Sequence, residues 1–159
     1  MSNGFIFHES EDIVCIATGN SSNRKTGDEV QTWILYKHEP PNIAIDTGKD
    51  SIICGDCKHR GIVLSLDDAT IYSDMLTTPK KKALLKRIED KRAKGLNSIN
   101  IDRECYVLVF QAPLAVYKCW KKGGYPTLTP KQAQKRLAYK KVRLGSYGDP
   151  VHVPLEVWN

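Results

Sequence analysis

At 159 residues with 41% apolar side chains, the chain is long enough for one domain with a buried core and too hydrophobic to remain unfolded. No apolar run approaches the roughly 20 residues of a membrane span, and no charged-then-apolar leader precedes a cleavage site, so the reading is a cytoplasmic protein without a membrane partner. Net charge is +6 and unevenly spread: Lys118 to Arg143 holds nine Lys or Arg and no Asp or Glu, which predicts an anionic partner, nucleic acid or an acidic protein.

In chain order, Phe5–His8 and Asp12–Thr18 are rich in Ile, Val and Phe and read as short strands turning around Glu9–Glu11. "GNSSNRKTGD", Gly19 to Asp28, is a loop of turn formers. Glu29–Lys37 has strand composition and stops before Pro40-Pro41, and Ile43–Ile45 reads as another short strand. "IVLSL", Ile62 to Leu66, is the next strand. Thr78 as N-cap and Pro79 at the first helical position open a helix that Gly95 closes. Its apolar stripe is narrow, so residues 67–104 are expected as a basic helical excursion on the surface of a single domain. "CYVLVFQ", Cys105 to Gln111, is the most apolar run and reads as a central strand. Pro113 opens a helix to Lys122, Thr129-Pro130 starts a basic helix through about Lys140, and Lys141–Tyr147 is a strand ending in the turn "GDP". This order predicts an α/β fold, a partly parallel sheet with crossover helices.

Three stretches carry chemistry. The first is "SIICGDCKHRG", Ser51 to Gly61, where Cys54 and Cys57 can reach one ion and Gly55 permits the tight turn between them. Five cysteines without a secretory leader point to reduced thiols rather than a disulfide framework. A zinc or iron–sulfur site needs more than two ligands. Cys105 is the candidate third, and His59 or Cys119 the fourth; the plain alternative keeps Cys105 and Cys119 as small core residues. The second stretch is the Gly19–Asp28 loop, in which Asn23, Arg24, Lys25 and Thr26 could cradle a phosphate, although the spacing is not that of a P-loop. The third is "RLGSYGDP". There Arg143, Ser146, Tyr147 and Asp149 would line a ligand site at a strand end, or Asp149 would bond its own backbone. Candidate nucleic-acid contacts are Lys80, Lys81, Lys82 and Arg87 on the helix from Thr78, with Lys121, Lys122, Lys135 and Arg136 further on.

Taken as an ordered set, "NRKTGDEVQTWIL", "CGDCKHR", "CYV", "GGYP" and "RLGSYGDPVHVPLEVW" resemble a family of tailed-bacteriophage proteins of unknown function, which is itself similar to phage proteins resembling radical-SAM enzymes. The resemblance implies that Cys54, Cys57 and Cys105 match cluster cysteines, Tyr106 the tyrosine that follows, and Gly148-Asp149-Pro150 a strand-end turn. It also implies a shortened member holding an incomplete barrel, because a full (β/α)₈ barrel takes about 250 residues. The leading expectation is a small phage-encoded metal-binding module in the host cytoplasm, whose basic surface engages nucleic acid or an acidic host protein. A second expectation is a radical-SAM-like enzyme with S-adenosylmethionine at an open iron, and a third is a metal-free inhibitor of a host or defence protein. An open sheet edge would also allow pairing with a second copy.

Overall fold

The structure, a computed structural model, describes residues 4–19 and 27–158. Strands β1 (Gly4–Glu9), β2 (Ile13–Thr18) and β3 (Val30–Tyr36) form an antiparallel meander, and β6 (Val142–Tyr147) joins β3 in parallel. A separate antiparallel pair consists of β4 (Ile62–Ser65) and β5 (Ser98–Ile101). Between the strands run α1 (Pro41–Thr47), the single turn α2 (Ser51–Cys54), α3 (Leu66–Ser73), α4 (Thr78–Ala93), α5 (Ala112–Lys121) and α6 (Pro130–Leu137). The fold is therefore mixed α/β with one parallel crossover and no closed barrel.

β2 explains why the sheet forms where it does. Val14, Cys15, Ile16 and Ala17 are all fully buried, so β2 is covered on both faces and reads as a continuous apolar run rather than an alternation. Neighbouring residues of β1 point to opposite sides. Ile6, with Val14 and Ile16, joins Val116 and Tyr117 of α5, whereas Phe5, with Ala17 and Val30, joins Ala133 of α6. Helices α5 and α6 thus cover opposite faces, and the connector between them runs along the outer edge of β1, where Ile6 N–H donates to Pro126 C=O and Leu128 N–H donates to Ile6 C=O. α6 begins with a full capping box, Thr129 and Gln132 satisfying each other's backbone amides.

Two expectations about elements change. Ile43–Ile45 lies inside helix α1, because Pro41 occupies a first-turn position that suits its fixed φ and missing N–H. The Cys105–Gln111 run is not a strand. Its side chains alternate as a strand's would, with Val107 and Val109 on the core and Tyr106, Leu108 and Phe110 exposed. No neighbouring strand among the described residues supplies a ladder, however, and the backbone turns back at once, Gln111 N–H donating to Leu108 C=O. The 67–104 excursion is more than a surface helix: with β4 and β5 it encloses Leu66, Ala69, Leu84, Ile88, Ile99 and Ile101 in an apolar cluster of its own. No helix among the described residues is long and apolar enough to cross a membrane.

β6 makes room for a bulge. Gln31 pairs with Arg143 and Trp33 with Tyr147, so the strand carries extra residues against β3. Gly145, at φ +64°, takes up the bend, and the buried Thr32 hydroxyl holds it by donating to Arg143 C=O and accepting from Gly145 N–H. This bulge sets the start of the "SYGDP" turn, which is where the sequence motifs meet.

Candidate functional site

The cysteine loop, the Cys105 segment and the "GDP" turn are brought to one place. Asp149 N–H donates to Ile53 C=O in α2, so the turn lies against the helix that ends in Cys54. The carbonyl of His59 accepts from the amides of both Glu104 and Cys105, fastening the third segment to the loop. Gly55, at φ +53°, is covered by an imidazole: a Cβ added there would fall 2.6 Å from His152 Nε2.

At the centre is Asp50, which is fully buried. Its Oδ1 accepts from Arg60 Nη2 at 2.7 Å, and its Oδ2 lies 3.7 Å from Arg103 Nη1. The same Arg60 guanidinium donates to Gly48 C=O and Gly55 C=O, spanning the segment that carries Cys54. The Asp50 hydrogen bond raises the Arg60 pKa further above its ordinary value, so the charge is permanent. Four residues earlier, in α1, buried Asp46 does the parallel job for the β4–β5 unit. It accepts from Lys91 of α4 and, at 3.1 Å, from the backbone amide of Asn100. Two buried aspartates therefore join the main sheet and its helices to the smaller unit.

The thiols behave differently from one another. Burial, then the charge of Asp50, pushes the Cys54 thiol up to about 12; Arg103 and Arg60 act in the opposite direction, and Cys105 contributes to the rise. Cys57 is exposed, Cys105 partly buried, and all five cysteines are free. Among the described residues, no three His, Cys, Asp or Glu side chains are grouped closely enough to hold a metal ion. The shape of the loop is set by Arg60 and the glycines. His59 is exposed and faces Glu104 at 3.7 Å. Cys119 lies at the end of α5 against Gly124 and hydrogen-bonds Tyr125.

The strand-end residues divide in the same way. Asp149 accepts from Val151 N–H and caps the turn after it, the local role open to it from its sequence. Arg143 donates to the exposed Tyr106 hydroxyl. Ser146 Oγ and Tyr147 Oη are buried without a hydrogen-bond partner among the described residues, as are Asp50 Oδ2 and Arg103 Nη1. Burial first, then the charges of Cys54 and Asp50, raises the Tyr147 phenol, so it stays a donor at neutral pH. Asn23, Arg24, Lys25 and Thr26 lie outside the described residues.

The candidate cationic residues also separate into two kinds. On α4, Lys81 pairs with Asp74 and Arg92 with Asp67, while Arg87 donates to Asn100 C=O. In the Lys118–Arg143 segment no cation has a carboxylate partner among the described residues. Lys121 lies over the rings of Trp120 and Tyr117, and Arg136 over Phe5; Lys122 and Lys135 are exposed and unpaired, as are Lys80 and Lys82 on α4.

Asp50, Arg60, Arg103 and His152 were not among the residues marked by sequence reasoning. Arg60 and Arg103 sit beside marked cysteines but read as ordinary surface charge. No protein-family model, curated protein or solved structure matches the chain.

Proposed function

We propose that the protein is a small binding module that engages nucleic acid through the cations of the Lys118–Arg143 segment. The observation that carries this reading is the difference between its two cationic regions. Of the seven cations on α4, Lys81, Lys91 and Arg92 pair with Asp74, Asp46 and Asp67, whereas none of the nine from Lys118 to Arg143 faces a carboxylate among the described residues. Uncompensated positive charge of this kind attracts phosphates and is expensive to maintain without an anionic partner.

The reading is tested by fluorescence anisotropy with a labelled oligonucleotide at about 50 and 200 mM salt, where about four phosphate contacts lower single-strand affinity about 50-fold. Lys122→Gln with Lys135→Gln weakens binding about tenfold, and Lys81→Gln with Arg92→Gln leaves it nearly unchanged. Salt-independent binding, or equal loss from the two pairs, would favour an acidic protein partner or none.

The second reading is a thiolate-bound metal, zinc or an iron–sulfur cluster, at Cys54, Cys57 and Cys105. It is favoured by the backbone hydrogen bonds from Glu104 and Cys105 to His59 C=O, which fasten the Cys105 segment to the loop carrying Cys54 and Cys57. An ion there would hold the Cys54 sulfur as thiolate against the effect of its burial. Elemental analysis of protein purified without oxygen tests it: stoichiometric zinc or iron that disappears in Cys54→Ser with Cys105→Ser supports the site, and metal-free protein of unchanged stability rejects it.

A further inference from the structure

Helix α6 ends in a turn that a bulky residue does not ordinarily choose. Ala138 N–H closes the helix on Gln134 C=O, and Ala138 itself has φ −51° and ψ 131°. Tyr139 follows at φ +63°, and Lys140 N–H donates back to Leu137 C=O at 3.0 Å. That is the pattern of a type II turn with tyrosine in the position that demands positive φ, where glycine or asparagine is the usual residue. An aromatic residue there is strained, and strain of this kind collects at functional positions.

The strain brings no packing in return. Among the described residues, Tyr139 is the most exposed large apolar or aromatic side chain, at 108% of its reference area, and its hydroxyl has no partner. Around it in the chain stand Lys131, Lys135, Arg136, Lys140 and Lys141, with no Asp or Glu between them. All five are exposed, and none has a carboxylate partner among the described residues. Lys131 and Lys135 are four apart and so share one face of α6. An outward ring set among lysines is the arrangement that proteins use to hold unpaired bases, the ring stacking on the base and the cations following the phosphates.

We infer that Tyr139 is a stacking platform for an unpaired base, and that the turn after α6 binds single-stranded nucleic acid in preference to duplex. This rests on the nucleic-acid reading above and narrows it. Charge complementarity selects a polyanion, and the exposed ring selects one whose bases are free. A duplex buries its base faces and offers Tyr139 nothing to stack on, and an acidic protein would need the cations but not the ring.

Glycine provides a clean test, because Tyr139→Gly removes the ring at a position where glycine is the favoured residue, so the fold is kept or stabilised. Affinity is measured by anisotropy for oligothymidylate and oligouridylate probes of about 20 nucleotides and for a duplex of the same length. Expected are tighter binding of at least one single strand than of duplex, a loss of about tenfold to a hundredfold in Tyr139→Gly, and retention in Tyr139→Phe. The two probes distinguish DNA from RNA. Unchanged thermal unfolding of the glycine variant shows that the loss is one of contact. If Tyr139→Gly binds single strands as the parent does while Lys122→Gln with Lys135→Gln still weakens binding, the stacking role is wrong and the nucleic-acid reading stands. If no probe binds at low salt, both fail.

Discussion

Replacing Asp50 with alanine tests whether the junction of the three motifs is held by a buried ion cluster. The Asp50 side chain is 1% exposed, and its partners Arg60 and Arg103 are 18% and 14% exposed, so neither guanidinium can turn fully to water when the carboxylate is removed. Removing one partner of a buried pair costs about 3–5 kcal/mol, mostly because the opposite charge is left behind. Arg60 keeps two carbonyl acceptors, Gly48 and Gly55, which places its share at the lower end. Arg103 Nη1 faces Asp50 at 3.7 Å and has no hydrogen bond among the described residues. A loss of about 3 kcal/mol, divided by a urea slope of about 2 kcal/mol per molar, moves the unfolding midpoint down by about 1.5 M. Asp50→Asn, which keeps an acceptor for Arg60 but no charge, should fall between alanine and the parent. Asp50→Ala combined with Arg60→Ala should be less damaging than the sum of the two single changes, by about 1–3 kcal/mol. Urea titrations followed by tryptophan fluorescence measure the parent and the four variants. A single-variant loss under about 1 kcal/mol, with additive double changes, would show that water already screens the cluster and that the argument from burial is mistaken.

The thiols should differ in reactivity. At pH 8 iodoacetamide labels exposed Cys57 well before Cys15 and Cys54, whose thiols burial pushes up to about 12; mass spectrometry of the folded protein reads the order, and early labelling of Cys54 would contradict it. Because both folded values lie above the unfolded value of 9.0, the folded state binds these protons more tightly. Their contribution is complete below pH 9 and is lost as pH rises from 9 towards 12, visible as a falling urea midpoint. Gly61→Ala should lower the melting temperature by at least about 5 °C, since φ +81° is strained for alanine. The new Cβ would also collide with Ile101 C=O and lie 2.6 Å from Asn100 Oδ1, so a variant as stable as the parent would mean that the β5 end yields easily.

Local rules determined a good deal of this protein from the sequence alone. Strands β1 to β3, the proline-started helices α4, α5 and α6, and the final strand follow from apolar composition and from caps and prolines, signals that act within a few residues. The loop around Cys54 and the "GDP" turn were legible as sites of tight backbone because glycine and aspartate have few other reasons to cluster. What tertiary structure alone decided is pairing. Cys105–Gln111 has the alternation of a strand but no paired strand among the described residues, and its backbone turns between Leu108 and Gln111; no sequence pattern supplies the missing neighbour. Ile43–Ile45 is apolar enough for a strand, yet the first-turn proline and the buried carboxylate of Asp46 fix it as helix. The value of each charge was equally out of reach, because a lysine or aspartate reads the same in sequence whether it faces water or an opposite charge. Only the folded chain shows that Asp46 and Asp50 neutralise cations brought from far along the sequence, whereas those around Tyr139 have no such partner among the described residues. The physical reason is range: propensity and capping are settled by neighbours in the chain, but burial and electrostatic compensation by neighbours in space.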